Sequence, residues 1–170
     1  RTGPMGNEPG YDVMLQAFGG MLSTMGSEGN YARASFSPVD IGTAMNGLSG
    51  VLAAVLERQQ TGKGVYLEIS LLDTALGFMT YMAQSYWRTG VNPKPMGTAH
   101  PSMSPYQAFD ASDGTVMIGA GNDAQWKRFC AVAGLDEYVD HPDYATNAIR
   151  IKNLPKTQAL VQDVIRKRTV

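Results

Sequence analysis

Cysteine is almost absent from this sequence, histidine is scarce, and neither sign of charge predominates. The 170 residues hold one cysteine and two histidines, with 14 Lys and Arg against 15 Asp and Glu. One cysteine, Cys130, excludes an internal disulfide framework and any cysteine-based zinc site. It fits a reducing compartment, so a cytoplasmic location is expected. No group of His, Asp and Glu recurs at metal-ligand spacing, and no metal is expected. Without a basic excess there is nothing to neutralise a phosphate backbone, which removes nucleic-acid binding. Long hydrophobic runs are missing too. The most apolar stretches, 48–56 and 71–82, are interrupted by Ser, Gly, Asp or Thr and read as too short to span a bilayer, so no membrane partner is expected. The opening "RTGPMGNEPG" lacks the charged and apolar regions of a signal peptide. It starts in a Gly/Pro-rich loop without an initiator methionine, as the middle of a longer chain would.

The pattern that remains is that of a mixed α/β protein. After the Pro9–Gly10 turn, Val13, Met14, Leu15, Phe18, Met21 and Leu22 fit a buried helix, with Asp12 at its start. Residues 26–38 are polar and irregular. From Pro38 the apolar positions Ile41, Met45, Leu48, Leu52, Val55 and Leu56 recur at helical spacing, with glycines between them. Those glycines cost a helix roughly 1 kcal/mol each, which is tolerable where another backbone or a ligand must come close. "ERQQTGKG" ends that helix; Lys63 there lacks the glycine spacing of a phosphate-binding loop. "VYLEISL" reads as a buried strand and "LDTALGFMTYMAQSYWRTG" as one long helix, with Met79, Tyr81, Met82, Tyr86 and Trp87 as packing residues.

The proline-rich "VNPKPMGTAHPSMSP" then marks a linker or an ordered loop. Beyond it, "YQAFDA" and "TVMIGAG" flank a turn containing Asp113-Gly114, the signature of a β-hairpin. Asn122 or Asp123 is placed to cap a helix over "AQWKRFCAVAGL", in which Cys130 is expected to be buried and inert. The remainder is helical with breaks at Pro142 and Pro155. Two pieces follow, residues 1–90 and 91–170, and the first shows only one strand.

Asp40 opens the long glycine-rich helix and is its only charge before Glu57. On residue pattern alone, Asp40 is a helix cap that satisfies orphan N–H groups and suits the helix dipole. A carboxylate in that place is also a candidate nucleophile.

Four stretches, "GPMGNEPGYDVMLQAFGGML", "PVDIGTAMNGLSGVLAAVLERQQTGKGVYLEISLLD", "GTAHPSMSPYQAFDASDG" and "GNDAQWKRFCAVAGL", occur in the order and spacing of the class III CoA-transferases, the CaiB/BaiF family. The sequence resembles the central part of that family. The resemblance implies part of a large Rossmann-like domain over 1–90, linked to an incomplete small α/β domain over 91–170. It also implies an interlocked homodimer, and acyl-CoA and carboxylic acids as substrates. On that resemblance, the N-terminal Rossmann half, which supplies many CoA contacts in the family, and the C-terminal segment would fall outside this stretch.

By the same resemblance Asp40 is the nucleophile that passes through mixed anhydrides and an aspartyl-CoA thioester. Backbone N–H groups at the helix N-terminus would stabilise developing oxyanions, and Gly42 would keep the approach open. Tyr11 would lie beside substrate or CoA, with Asp12 as a second acid near the nucleophile. Without the resemblance this pair reads as a core aromatic next to an N-cap Asp. In the related acyl-CoA racemases a His-Asp pair stands here, and a phenol titrating near pH 10 is a poor base at neutral pH, which weakens an acyl-CoA racemase or epimerase alternative. Gly97 and His100 lie in the loop that the family turns toward its active site. No run of glycines like that of formyl-CoA transferases is present, and the loop looks more like that of transferases for carnitine-type or dicarboxylic acids. A histidine before proline is otherwise an ordinary loop residue making one structural hydrogen bond. A third reading is a truncated product that folds without catalysing.

Overall fold

A computed structural model describes residues 3–170, and the chain divides into two compact units, Arg1–Pro95 and Met96–Val170. Both mix helices with a two-stranded antiparallel sheet.

In the first unit, helix α1 (Asp12–Phe18) and a 3-10 turn (Met21–Thr24) lead to a small hairpin, β1 (Gly26–Ser27) with β2 (Asn30–Tyr31). Helices α2 (Pro38–Thr61), α3 (Leu71–Phe78) and α4 (Thr80–Thr89) follow. α2 starts where expected because Pro38 at its first position presets the backbone and has no N–H to leave unpaired. It stops at Gly62, whose N–H returns to the Arg58 carbonyl at 2.8 Å. As one 24-residue helix it is long and apolar enough to cross a membrane by length and composition, which corrects the reading of its apolar stretch as too short. The same composition suits the central helix of a larger soluble fold. Polar contacts tie it sideways to α3: Thr43 donates to the Thr74 hydroxyl at 3.0 Å and Asn46 at 3.3 Å.

Four expectations change in this unit. The stretch 63–70 carries no strand pairing, because a strand needs a neighbour for its N–H and C=O groups and none is offered among the described residues. Val65 and Tyr66 are exposed rather than buried. The helix expected over 72–90 is two: Met79 closes a tight turn onto Leu76 at 3.1 Å, and Thr80 follows at φ +33°, so the helix must restart. Tyr81, Tyr86 and Trp87 are exposed, leaving Met79 as the buried member of that group. α1 is turned over: Asp12 and Gln16 are buried, while Val13, Met14 and Phe18 face out. The buried set of this unit is thus small and part polar, with Val39, Ala75 and Met79 as its apolar members.

The second unit has an ordinary apolar core. Strands β3 (Tyr106–Asp110) and β4 (Thr115–Gly119) pair antiparallel from Tyr106↔Gly119 to Asp110↔Thr115, as the sequence predicts. Helix α5 (Asp123–Ala133) is capped by Asn122, which accepts the Gln125 N–H at 2.8 Å. A 3-10 turn (Asp136–Tyr138), α6 (Asn147–Lys152) and α7 (Leu154–Ile165) complete it. Pro155 does not break a helix; it sits in the first turn of α7, and the break falls at Asn153. Phe109, Trp126, Cys130, Tyr144, Val161 and Ile165 form the core.

Candidate active site

The N-terminus of α2 is held by a residue from α1. The carboxylate of Asp12 accepts the backbone N–H groups of Val39 at 2.8 Å and Asp40 at 3.1 Å through the same oxygen, Oδ2. Its other oxygen, Oδ1, accepts a hydrogen bond from the side-chain amide of Gln16. The Gln16 carbonyl in turn accepts the Ala34 N–H at 3.0 Å. Ser37, at the N-cap position, makes no side-chain cap. Capping of this helix is therefore the work of Asp12, 28 residues upstream of Asp40, and not of Asp40 itself.

Asp40 occupies the third helical position and is exposed, and among the described residues its carboxylate has no hydrogen bond or ion pair. It stands within the first turn, where the helix dipole favours a negative charge. The donors there are spent: Pro38 has none, Val39 and Asp40 give theirs to Asp12, and the Ile41 N–H bonds the Ser37 carbonyl at 3.0 Å. The N–H groups of residues 39–41 are thus already bonded within the fold.

Gly42 has a structural reason for lacking a side chain. A Cβ there would lie 2.6 Å from Cζ of Phe78 and 3.0 Å from Cγ2 of Thr74. The space is filled by α3, so the glycine allows close helix packing rather than an open approach. Tyr11 takes the N-cap position of α1 and is 67% exposed, so it is not a core aromatic. Tyr11, Asp12 and Asp40 thus belong to one cluster of elements, α1 and the start of α2.

Gly97 and His100 lie in the second unit. Gly97 has φ +62° at the head of a turn closed by Ala99 N–H to the Met96 carbonyl at 3.0 Å, a conformation that favours glycine. His100 receives the Ser102 N–H on Nδ1 at 3.1 Å and meets the Tyr106 ring edge-on at 5.4 Å. Those contacts hold the loop together. Cys130 is fully buried, and burial pushes its thiol up to about 11. Among the described residues, no three His, Cys, Asp or Glu side chains gather to hold a metal ion. A pocket of about 390 Å³ in the first unit is lined by Ser23, Glu28, Tyr31 and residues 92–95; Asp40, Asp12 and Tyr11 are not in its wall.

Sequence reasoning missed Gln16, which is completely buried inside α1. The available signal was its spacing: four residues after Asp12, on the same helical face, where i and i+4 side chains meet.

The model of "CoA-transferase family III" matches residues 1–170. Succinyl-CoA:glutarate CoA-transferase of Mus musculus is 36% identical over 154 residues, which cover 90% of this chain and 35% of that protein. Acetyl-CoA:oxalate CoA-transferase of Acetobacter aceti is 31% identical over 171 residues, covering 98% and 43%. The crystal structure of a CAIB/BAIF family protein from Brucella suis superposes with a TM-score of 0.78 at 31% identity, covering 99% of this chain and 45% of that one. Rv3272 from Mycobacterium tuberculosis shares the fold with a TM-score of 0.84 at 24% identity, covering 99% and 44%. The chain spans less than half the length of these relatives. With a family model matched from end to end and the fold reproduced in solved members, this chain belongs to CoA-transferase family III.

Proposed function

We propose that this chain carries the nucleophile of an enzyme that moves CoA between carboxylic acids, and that Asp40 is that nucleophile. One observation carries the reading: Asp40 heads α2 with an exposed, unbonded carboxylate, while Asp12 performs the capping that would otherwise explain an aspartate there. A carboxylate that no hydrogen bond or ion pair among the described residues engages is available for chemistry.

The Asp40 carboxylate attacks the thioester carbonyl of a donor acyl-CoA and expels CoA thiolate, leaving a mixed anhydride. The thiolate attacks the Asp40 carbonyl, releases the donor acid and forms an aspartyl-CoA thioester. The acceptor carboxylate attacks that thioester, expelling CoA thiolate again and forming a second anhydride. Attack of the thiolate on the acceptor's acyl carbon yields the new acyl-CoA and returns Asp40 to a carboxylate. The overall exchange replaces one thioester by another of similar energy, and the covalent steps through Asp40 divide it into easier ones. Neither a metal nor a redox partner enters the balance. The names of the relatives support dicarboxylic acids as the substrate class. Completion of the Rossmann-like domain and pairing into a homodimer belong to the same proposal.

A second reading has its own observation. Met45, Leu48 and Leu52 of α2 are exposed, and the first unit buries little apolar surface. The 170-residue chain would then fold without being able to hold CoA. Micromolar CoA binding by calorimetry would contradict it.

The test of Asp40 is intact-protein and peptide mass spectrometry after incubation with acyl-CoA thioesters, with hydroxylamine or borohydride trapping. The expected result is an adduct on the Asp40 peptide that Asp40→Asn lacks. An adduct on another carboxylate, equally present in the variant, would assign the nucleophile elsewhere.

A further inference from the structure

The three groups Ala34 N–H, Gln16 and Asp12 form a directional relay that ends on the backbone of Asp40. Its polarity is dictated by chemistry. Ala34 N–H can only donate, so the Gln16 carbonyl faces it and the Gln16 amide must face Asp12. Asp12 must then accept on both oxygens, from Gln16 on one side and from Val39 and Asp40 on the other. Gln16 is fully buried and Asp12 is 8% exposed, so water cannot readily substitute for a lost link. Ala34 belongs to the loop that delivers the chain into α2. The relay therefore fixes both that loop and the first turn of the helix.

We infer that Gln16 and Asp12 are positioning residues for Asp40: the pair sets the place and direction of the helix turn that presents the nucleophile, without touching substrate. This rests on the reading of Asp40 as the nucleophile. It changes the role that resemblance assigned to Asp12, and it adds Gln16, which no motif marks. It also explains why an uncharged amide and a carboxylate occupy these two places. Asn at position 12 would turn an NH2 toward the Gln16 NH2. Glu at position 16 would set its carboxylate against that of Asp12. Each single change breaks one link, whereas exchanging the two chemistries restores every one. In D12N/Q16E the amide now on position 12 accepts the helix N–H groups through its carbonyl and donates through its NH2 to the carboxylate now on position 16. That carboxylate accepts from Ala34 on its other oxygen.

The experiment compares D12N, Q16E and the double variant D12N/Q16E in this chain. Two readouts are taken: hydrogen exchange of the Val39 and Asp40 amides, and the rate of acyl adduct formation on Asp40 against acyl-CoA concentration. In the single variants, protection of both amides should fall about tenfold or more, as expected when a hydrogen bond to a charged group is lost. The limiting rate of adduct formation should fall while the half-saturating concentration stays. The double variant should recover the adduct rate and most of the protection, the helix N–H groups now bonding an uncharged carbonyl. Unchanged amide protection in the singles, or a double variant no better than the worse single, overturns the proposal. Recovered protection without a recovered adduct rate also overturns it, because Asp12 would then act on the reaction itself. Absence of any adduct in the unaltered chain favours the reading in which it holds no CoA, while the exchange data still decide whether the relay holds the helix.

Discussion

A methyl group placed on Gly42 would come within 2.6 Å of Cζ of Phe78, so α2 and α3 meet at a point that admits no side chain. Two effects compete in Gly42→Ala. Helix propensity favours alanine by about 1 kcal/mol, and overpacking costs about 1–3 kcal/mol. The Phe78 ring is half exposed and has room to turn, whereas Thr74 is buried and does not. A net loss of about 1 kcal/mol is expected in denaturant unfolding, with recovery in G42A/F78L. A more stable G42A would show that the helices separate freely.

Asp40→Asn should leave stability within about 0.5 kcal/mol, since the side chain is exposed and bonds nothing among the described residues. The adduct with acyl-CoA should nevertheless disappear. A loss of about 1 kcal/mol or more in thermal unfolding would return Asp40 to the role of a cap.

The sequence was most legible where local chemistry decides the structure. The turn at Asp113-Gly114 and the Pro38 start of α2 rest on neighbouring residues and formed as read, and of the two cap candidates Asn122 and Asp123 the structure takes Asn122. It was least legible where the partner is distant or outside the chain. Periodicity put Val13, Met14 and Phe18 inside, but the apolar face of α1 has no cover among the described residues, and its buried face follows Asp12 and the remote start of α2. The 65–70 segment has strand chemistry without a strand neighbour among the described residues. At the site, Asp40 could be singled out by position, but the residue that caps its helix is 28 positions away, a distance no local pattern reports.

Arg150 is fully buried and donates to the Ser104 carbonyl at 2.7 Å, the Tyr144 carbonyl at 2.7 Å and Asp123 at 3.0 Å, with its guanidinium 5.1 Å from the Trp126 ring centre. Half of the Asp123 side chain is in water, so that ion pair is screened and the two carbonyls matter more. Arg150→Lys supplies one point charge where a planar fork is needed. A loss of roughly 2–5 kcal/mol is expected in calorimetric unfolding. A change under about 1 kcal/mol would mean the carbonyls find other donors.

Ser104 offers the opposite sign. Its hydroxyl is fully buried and finds no partner among the described residues, while its N–H and C=O are bonded by Asn147 and Arg150. Ser104→Ala removes only the orphaned group and should stabilise by about 1 kcal/mol. Destabilisation of that size would reveal a partner for the hydroxyl.

Cys130 ties a thiol to alkaline stability. Burial, the largest cause, moves it from an ordinary 9.0 to about 11; Asp136 adds to the rise and the Arg150 charge opposes it. Between those values the unfolded chain has lost the thiol proton and the folded chain keeps it. Folding then retains a proton that unfolding releases, so this group lowers stability as pH rises through that window and leaves it unchanged below about pH 9. Chemical denaturation of the chain should show a decline from about pH 9 to 11 that Cys130→Ala lacks, although the alanine variant starts lower for want of the buried sulfur. At about pH 8 the thiolate is a minor species, so iodoacetamide should label Cys130 slowly in the native chain and at the rate of a free thiol in denaturant. Rapid native labelling would show an exposed thiolate and remove the burial on which the alkaline effect depends.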